Sequence, residues 1–276
     1  MALLWEVPVV DLACATCDLP SEVDAALKRF GFFYVRNHGV PERLITDQLE
    51  QNRRFFALDL TAKQALPFNA TLDIGYTGGG GTQQALDETQ AVSAAADTKE
   101  GFMFTNNAAM YEPYPYGKRY LKDPLAGATL EWPTGLPGYE RVIRSYFSAA
   151  YALNHRLNAL LFDALAIPPA ERKRMGSTPL CVLKQLRYAP APGRFVNGTT
   201  AEMETAHNAS LGAGAHADWG SLTVLSTDGT PGLQVDSGSG SGLGLGLGLG
   251  LGLGLGLGLG SGLELGFGFG FGFGFG

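Results

Sequence analysis

The sequence predicts an α+β protein in which helices and loops come first and most strands come later. Three observations lead to this prediction. Apolar residues recur every three or four positions through residues 137–168, as in an amphipathic helix. Beyond that segment the apolar pattern changes to the period of a strand, and glycine and proline separate several short runs. This order is typical of a β-sandwich or barrel that follows a helical part.

The first 60 residues contain two predicted strands and two predicted helices. Residues 5–12 (WEVPVVDL) and 32–36 (FFYVR) are rich in β-branched and aromatic residues, which favour strands. A capping-box pattern opens a predicted helix over residues 21–29, and Gly31 ends it. A proline suits the first turn of the second helix, predicted over residues 41–58.

The middle and the later part of the chain differ in pattern. Residues 67–135 are rich in turn-forming residues and predict long loops with short strands. Residues 137–168 predict the clearest helix, which a Pro-Pro pair stops. Strands are then predicted over residues 180–188, 214–219, 222–226 and 232–235.

Residues 237–276 depart from ordinary globular composition. They hold 19 of the 39 glycines and a single charged residue, Glu264. A helix, and with it a membrane span, is disfavoured because each glycine costs about 1 kcal/mol relative to alanine. A strand fits the strict period of two, although glycine weakens strands. We favour a third interpretation, in which this low-complexity tail comes from a misassigned exon or a frameshift.

Charge and composition exclude several classes of function. The formal net charge is -6 and no lysine or arginine follows Arg194, so no nucleic-acid partner is expected. The first basic residue is Lys28, which argues against a secretory signal. We therefore expect a soluble, cytoplasmic protein without a membrane partner.

Three cysteines are too few to predict a disulfide framework. Cys14 and Cys17 form a C-x-x-C pattern, for which redox or zinc chemistry is an alternative. A zinc site would need two more ligands, so we expect a loop whose thiols are reduced.

The residues that point to chemistry are His216 and Asp218. On a strand, residues i and i+2 lie on one face, so an imidazole and a carboxylate converge there. They supply two of the three ligands of a 2-His-1-carboxylate site, which suits non-haem Fe(II). Taken alone, the tripeptide is a weak signal and fits a surface histidine and aspartate beside a turn better than a metal site.

Longer motifs support the metal interpretation. The pair lies within GAGAHADWGSLTVLSTDGTPGLQV at residues 212–235. Further segments stand in a fixed order along the chain: VPVVDL at 7–12 with GFFYVRNHGVP at 31–41, DTKEGF at 97–102, LEWP at 130–133 with LPG at 136–138, and LKQLRYAP at 183–190. Together they resemble the Fe(II)/2-oxoglutarate-dependent dioxygenases of the isopenicillin N synthase-like family. The resemblance covers about residues 5–236.

The resemblance implies three regions. The first, residues 5–125, would be the N-terminal non-haem dioxygenase domain, which is helical. Residues 126–236 would hold the long helix and an incomplete double-stranded β-helix, or jelly roll. Residues 237–276 would be the low-complexity tail.

The resemblance also implies a site and an activity. His216 and Asp218 would bind Fe(II), and Tyr188 would bind the co-substrate 2-oxoglutarate; an ordinary strand aromatic is the alternative for Tyr188. The family oxidises small organic substrates with O2, and no catalytic residue beyond the metal ligands is implied.

The chain departs from the family pattern after Asp218. The family has a second histidine and an Arg-x-Ser motif downstream, but no histidine follows His216 and no arginine follows Arg194. The other histidines are interpreted as a turn or packing residue (His38), a helix residue (His155) and a solvated loop residue (His207).

These departures leave two alternatives to a 2-oxoglutarate-dependent dioxygenase. One is a 2-oxoglutarate-independent oxidase of the isopenicillin N synthase type. The other is a pseudoenzyme or binding module without a complete iron site. An incomplete jelly roll would also leave open sheet edges, so we expect the chain to be poorly soluble or not competent to bind iron.

Overall fold

The computed structural model describes residues 7–69, 74–78, 99–105, 130–175, 181–188, 222–230, 253–255 and 265–270. The helices of these residues are α1 (Leu19–Phe30), α2 (Glu42–Phe56), α3 (Leu60–Gln64), α4 (Tyr139–Ala164) and α5 (Pro169–Met175). The strands are β1 (Val9–Asp11), β2 (Phe33–Arg36), β3 (Gly75–Thr77), β4 (Lys99–Thr105), β5 (Val182–Tyr188), β6 (Leu225–Ser226), β7 (Leu253–Leu255) and β8 (Leu265–Gly270).

The described strands form one sheet in the order β1-β2-β7-β6-β8-β5-β4-β3. Strands β1 and β2 are parallel, and every other described pair is antiparallel. Helices α1 and α2 both pack on α4. The predicted mixture of helices and strands is confirmed, whereas the parallel β1–β2 pair was not predicted.

Helix α1 begins two residues earlier than the predicted position, residue 21. Its N-cap is Asp18, whose side chain accepts a hydrogen bond from the backbone N–H of Ser21 at 3.3 Å. Such a cap contributes about 1 kcal/mol. The predicted end is confirmed: Gly31 has a φ of 65°, in the left-handed region that glycine adopts at low cost, and its N–H donates to Leu27 O.

The two longer helices lie where they are predicted. Helix α2 follows Pro41, which is its N-cap residue. Helix α4 buries one stripe of residues along its length: Tyr139, Val142, Ile143, Tyr146, Phe147, Ala150, Tyr151, Leu153, Asn154, Leu157, Asn158 and Leu161. The short helix α5 was not predicted, and it begins at Pro169 because proline fits the first position of a helix.

The predicted strands agree with the structure where the structure describes them. Strand β1 is shorter than the strand predicted over residues 5–12. Strands β5 and β6 lie within the strands predicted over residues 180–188 and 222–226. The predicted strands over residues 214–219 and 232–235 lie outside the described residues.

Two segments of the glycine-rich repeat are strands. Strand β8 lies between β6 and β5, and β7 lies between β2 and β6. The expectation of open edges is therefore wrong for β5 and β6, because each has a neighbouring strand on both sides. The expected origin of the repeat in a misassigned exon or a frameshift concerns the encoding DNA and stays a prediction.

The expectation of reduced thiols at Cys14 and Cys17 is wrong. The two residues form a disulfide, and their Cα atoms lie 5.5 Å apart, within the range that a disulfide bridges. The turn after β1 brings them together, since the N–H of Cys14 donates to Asp11 O. The third cysteine, Cys181, is buried and is not part of a disulfide.

Aromatic side chains fill the space between the helices and the sheet. Phe55 of α2 stacks on Phe102 of β4 with ring centroids 4.5 Å apart. Phe104 of the same strand stacks on Trp132, at 5.1 Å. Tyr139, at the start of α4, lies against both Phe55 and Trp132. None of the described helices is long and apolar enough to cross a membrane.

Candidate functional site

Strand β5 carries the predicted co-substrate residue, Tyr188, at its C-terminal end. Leu183 and Gln185 of this strand are fully buried. Gln185 faces the helices, because its Oε1 accepts a hydrogen bond from the hydroxyl group of Tyr139 at 2.5 Å. Side chains alternate along a strand, so Leu186 and Tyr188 lie on the face turned away from the helices.

Strand β4 shows the same division. Phe102 and Phe104 face the helices, which places Lys99, Gly101 and Met103 on the other face. A Cβ atom added to Gly101 would lie 3.2 Å from Cδ2 of Leu186, so the two residues share that face.

We call the face turned away from α2 and α4 the distal face. Its residues on the three strands are Gly75, Thr77, Lys99, Gly101, Met103, Thr105, Val182, Lys184, Leu186 and Tyr188. Among these described residues there are two lysines and no acidic residue. The charged residues among the described ones on this face are thus Lys99 and Lys184. Tyr188 and Lys99 are opposite each other in the β4–β5 register, and both are partly buried.

A charged cluster on the helix-facing side fixes this end of the sheet. Glu100 accepts hydrogen bonds from Lys63 Nζ at 2.7 Å, from the Tyr76 hydroxyl at 2.6 Å and from Arg187. Lys63 also donates to Phe56 O at 3.2 Å. The cluster joins α3, β3, β4 and β5, so it holds the register in which Lys99 faces Tyr188.

The cluster changes the acidity of two of its members. Burial alone would raise the pKa of Glu100, but the hydrogen bonds from Lys63, Tyr76 and Arg187 outweigh it, and the pKa lies below its ordinary value. Burial and the hydrogen bond to Glu100 raise the pKa of Tyr76. Glu100 is therefore ionised and Tyr76 is a neutral donor at neutral pH.

Residues 222–230 continue from the sequence that contains the metal motif. Val224 and Ser226 are buried. Tyr146 of α4 is buried as well, and burial raises its pKa. Asp228 forms an ion pair with Arg53 of α2 at 3.6 Å. This ion pair ties the segment after the metal motif to α2.

The predicted metal ligands, His216 and Asp218, lie outside the described residues. Within the described part of the chain, no group of three or more His, Cys, Asp and Glu residues could hold a metal ion. The described residues thus form the distal face around Tyr188. The assignment of His216 and Asp218 as metal ligands stays a prediction from the sequence.

Two other histidines have the structural roles that their sequence context predicts. The His38 Nδ1 atom accepts a hydrogen bond from the N–H of Val40 at 3.1 Å, which forms a turn. The His155 ring lies on α4, 5.2 Å from the Tyr151 ring. Burial lowers the pKa of both histidines. His207 lies outside the described residues.

Sequence reasoning missed Lys63, Arg187 and Gln185 as determinants of the site. Arg187 and Gln185 belong to the LKQLRYAP motif, and their alternation with Tyr188 would have placed them on the opposite face. Lys63 gave no signal, because its partner Glu100 is 37 residues away in the sequence.

Comparison with known proteins identifies the relatives of this chain. The family model described as "non-haem dioxygenase in morphine synthesis N-terminal" matches residues 7–127. Clavatol oxidase claD of Penicillium crustosum is 28% identical over 246 residues, which are 83% of this chain and 68% of that protein. The 2-oxoglutarate-Fe(II) type oxidoreductase hxnY of Emericella nidulans is 25% identical over 225 residues, which are 80% of this chain and 58% of that protein. The matched part of the chain thus spans between 58% and 68% of the length of these two relatives.

Solved structures show the same fold. The dioxygenase for auxin oxidation of rice has a TM-score of 0.64 at 19% identity, over 96% of this chain and 82% of that one. JOX2, solved with 2OG, Fe and JA, has a TM-score of 0.70 at 18% identity, over 97% of this chain and 75% of that one. The family model, the named relatives and the shared fold agree with the motifs of the sequence. Residues 7–127 thus match the N-terminal model of the non-haem dioxygenases, and 80% of the chain is similar to a 2-oxoglutarate-Fe(II) type oxidoreductase.

Proposed function

We propose that this chain is an oxidoreductase that uses Fe(II), 2-oxoglutarate and O2 to oxidise a small organic molecule. The observation that carries the proposal is the position of Tyr188 on the distal face, away from the helices that fill the other side of the sheet. Its hydroxyl group can donate a hydrogen bond to a carboxylate there. Such a carboxylate group is present at each end of 2-oxoglutarate.

The donor set predicted for the metal suits Fe(II). His216 would supply a neutral nitrogen and Asp218 a carboxylate oxygen, which are the ligand types of non-haem iron sites. Fe(II) and 2-oxoglutarate, when bound, supply the activation of O2. The chain itself would hold the co-substrate through Tyr188 and keep water from it with Leu186 and Met103.

The sequence-based expectation that the chain is not competent to bind iron stays a prediction. The residues after Asp218 contain no histidine that could serve as a third ligand. His216 and Asp218 are the two protein ligands that we assign to iron, and the keto and carboxylate oxygens of a 2-oxo acid can also chelate a metal ion. The sequence-based expectation of poor solubility stays a prediction.

The proposal extends to architecture and to substrate class. It includes the division of the chain into three regions, with bounds at residues 125 and 236. It also includes an incomplete jelly roll in the second region. Relatives are named for different molecules: clavatol, homoarginine and gibberellin. These names support a small organic substrate and single out no one compound. A cytoplasmic location also remains a prediction.

Succinate formation from 2-oxoglutarate tests the proposed function. The purified full chain would be supplied with Fe(II), 2-oxoglutarate and O2, beside the variants His216→Ala and Asp218→Ala. Succinate formed by the unaltered chain and lost in both variants supports the proposal. Iron-dependent O2 consumption without succinate would favour a 2-oxoglutarate-independent oxidase. Absence of iron binding would favour a binding module.

A further inference from the structure

We propose that Cys14 and Cys17 form a thiol–disulfide exchange site, which takes two electrons from a dithiol and passes them to a second disulfide. This activity is separate from the proposed oxygenase function and does not depend on it. The two residues form a disulfide with a sequence separation of 3. A C-x-x-C pair is typical of redox chemistry where it accompanies a βαβ unit, so the elements around the loop decide the inference.

The structure places the pair in a βαβ unit. Strand β1 ends at Asp11, helix α1 begins at Leu19, and β2 follows the helix. Strands β1 and β2 are parallel, with Val10 opposite Val35, and α1 contacts both strands. The two cysteines lie in the connection from the first strand to the helix, which is the setting typical of a thioredoxin-like redox pair.

Hydrogen bonds hold the first half of this connection without the disulfide. The N–H of Cys14 donates to Asp11 O at 3.1 Å, and the N–H of Ala13 donates to Asp11 Oδ1 at 3.0 Å. The same carboxylate accepts from Arg36 at 2.8 Å and from Asn37 at 2.6 Å, which joins the turn to the end of β2. The turn should therefore persist when the S–S bond is broken.

The second half of the connection is held at the helix. Cys17 directly precedes Asp18, the N-cap of α1. The Asp18 side chain accepts from the N–H of Ser21 at 3.3 Å and from its hydroxyl group at 2.7 Å. Bonds that do not involve sulfur thus fix both ends of the loop. After reduction the two thiols stay close together, so the disulfide can re-form within one molecule.

Dissolved thiols can reach the pair. Cys14 and Cys17 are both partly exposed. Ala15 and Thr16, which lie between them, are exposed. Exposed disulfides are the labile or catalytic ones, and a very short loop contributes little to stability, so the pair can cycle while the chain stays folded. Cys181 is buried and takes no part.

The exchange conserves atoms and electrons in two steps. A thiolate of the dithiol attacks one sulfur atom of the Cys14–Cys17 bond, which breaks, and the other cysteine leaves as a thiolate. The second thiolate of the dithiol then attacks the mixed disulfide, releases the remaining cysteine and closes a disulfide within the dithiol. Two electrons pass to the protein, and the two protons of the dithiol end on Cys14 and Cys17. The reverse sequence reduces a disulfide substrate.

The first test compares the reduction of one disulfide in the folded and in the unfolded chain. The full chain would be treated with dithiothreitol with and without urea, and alkylation of Cys14 and Cys17 would be followed by mass spectrometry. We expect the rate in the folded chain to be no more than about threefold slower than in the unfolded chain, because an exchange site leaves its disulfide open to attack. A larger slowing would show a protected structural disulfide and would overturn the proposal.

The second test measures catalysis. The probe is a pair of peptides joined by a disulfide, one with a fluorophore and one with a quencher, in the presence of dithiothreitol. A small amount of the unaltered chain should raise the rate of peptide release about fivefold or more. Cys181→Ala, the matched control, should retain this increase, and Cys14→Ser/Cys17→Ser should abolish it. No increase with the unaltered chain, or an equal increase with the double variant, would overturn the proposal. Both tests omit Fe(II) and 2-oxoglutarate, so their outcome is independent of the proposed function.

Discussion

The hydroxyl group of Tyr139 lies 2.5 Å from Oε1 of Gln185, and this contact joins the start of α4 to the middle of β5. Both side chains are buried, and burial raises the pKa of Tyr139 well above its ordinary value. The hydroxyl group of Tyr139 therefore stays protonated at neutral pH and donates the hydrogen bond. It holds the helix-facing side of the strand whose other side carries Tyr188.

The change Tyr139→Phe should destabilise the protein by about 1–3 kcal/mol, because Oε1 of Gln185 is left buried without a donor. Urea unfolding followed by circular dichroism measures this loss. The double variant Tyr139→Phe/Gln185→Leu should recover part of it, since both polar partners are then removed. A double variant that is less stable than Tyr139→Phe would contradict this account of the contact.

The change Glu100→Gln should cost more than the loss of a surface ion pair. It leaves the ammonium group of Lys63, whose side chain is 8% exposed, without a counter-charge, and breaking such a pair costs about 3–5 kcal/mol. Asp24→Asn is the matched control, because it removes the partner of Lys28, whose side chain is 75% exposed. That change should cost less than about 1 kcal/mol. Similar losses in the two variants would show that the cluster around Glu100 does not stabilise the fold.

Stability should also depend on pH through Glu100. Its pKa in the folded protein lies below its ordinary value, so its contribution to stability is present above about pH 4.3, the value in the unfolded chain. The contribution is lost as the pH falls through the lower, folded value. The difference in unfolding free energy between the unaltered chain and Glu100→Gln should therefore be constant near neutral pH and shrink in acid. A difference that grows on acidification would contradict the ion pairs.

Reduction of the Cys14–Cys17 disulfide should lower the unfolding free energy by about 2 kcal/mol or less, because the loop that it closes is very short. Urea unfolding with and without a dithiol reductant measures the change. The double variant Cys14→Ser/Cys17→Ser should not respond to reductant.

Thiol counting provides an independent check of the same disulfide. Burial raises the pKa of Cys181, so its thiol should react slowly in the folded protein. Reduction should add two reactive thiols, and unfolding should expose the third. Two reactive thiols in the native protein before reduction would show that the disulfide is not formed.

The sequence predicted those parts of the fold that depend on local patterns. The apolar period identified α4, Gly31 marked the end of α1, and alternation identified β5. Asp18 was missed as the cap of α1 because Ser21, three residues later, carries an equally good capping pattern. The parallel pairing of β1 with β2 depends on contacts between distant residues, which no local pattern encodes.

The residues of the candidate site also fall into those that a local pattern predicts and those that depend on tertiary contacts. The role that we propose for Tyr188 came from a motif, and strand alternation then places the residue on the distal face. Its supporting residues depend on tertiary contacts: Lys63 reaches Glu100 from α3, and Tyr139 reaches Gln185 from α4. These contacts required the arrangement of helices on the sheet, which the sequence pattern did not specify.

The most direct test of the proposed function is an anaerobic Fe(II) titration with and without 2-oxoglutarate. The unaltered chain should bind Fe(II) at one site, and 2-oxoglutarate should strengthen that binding. His216→Ala should abolish the effect, because the imidazole is one of only two protein ligands that we assign to iron. Identical titrations of the unaltered chain and His216→Ala would contradict the iron site and, with it, the proposed oxygenase function.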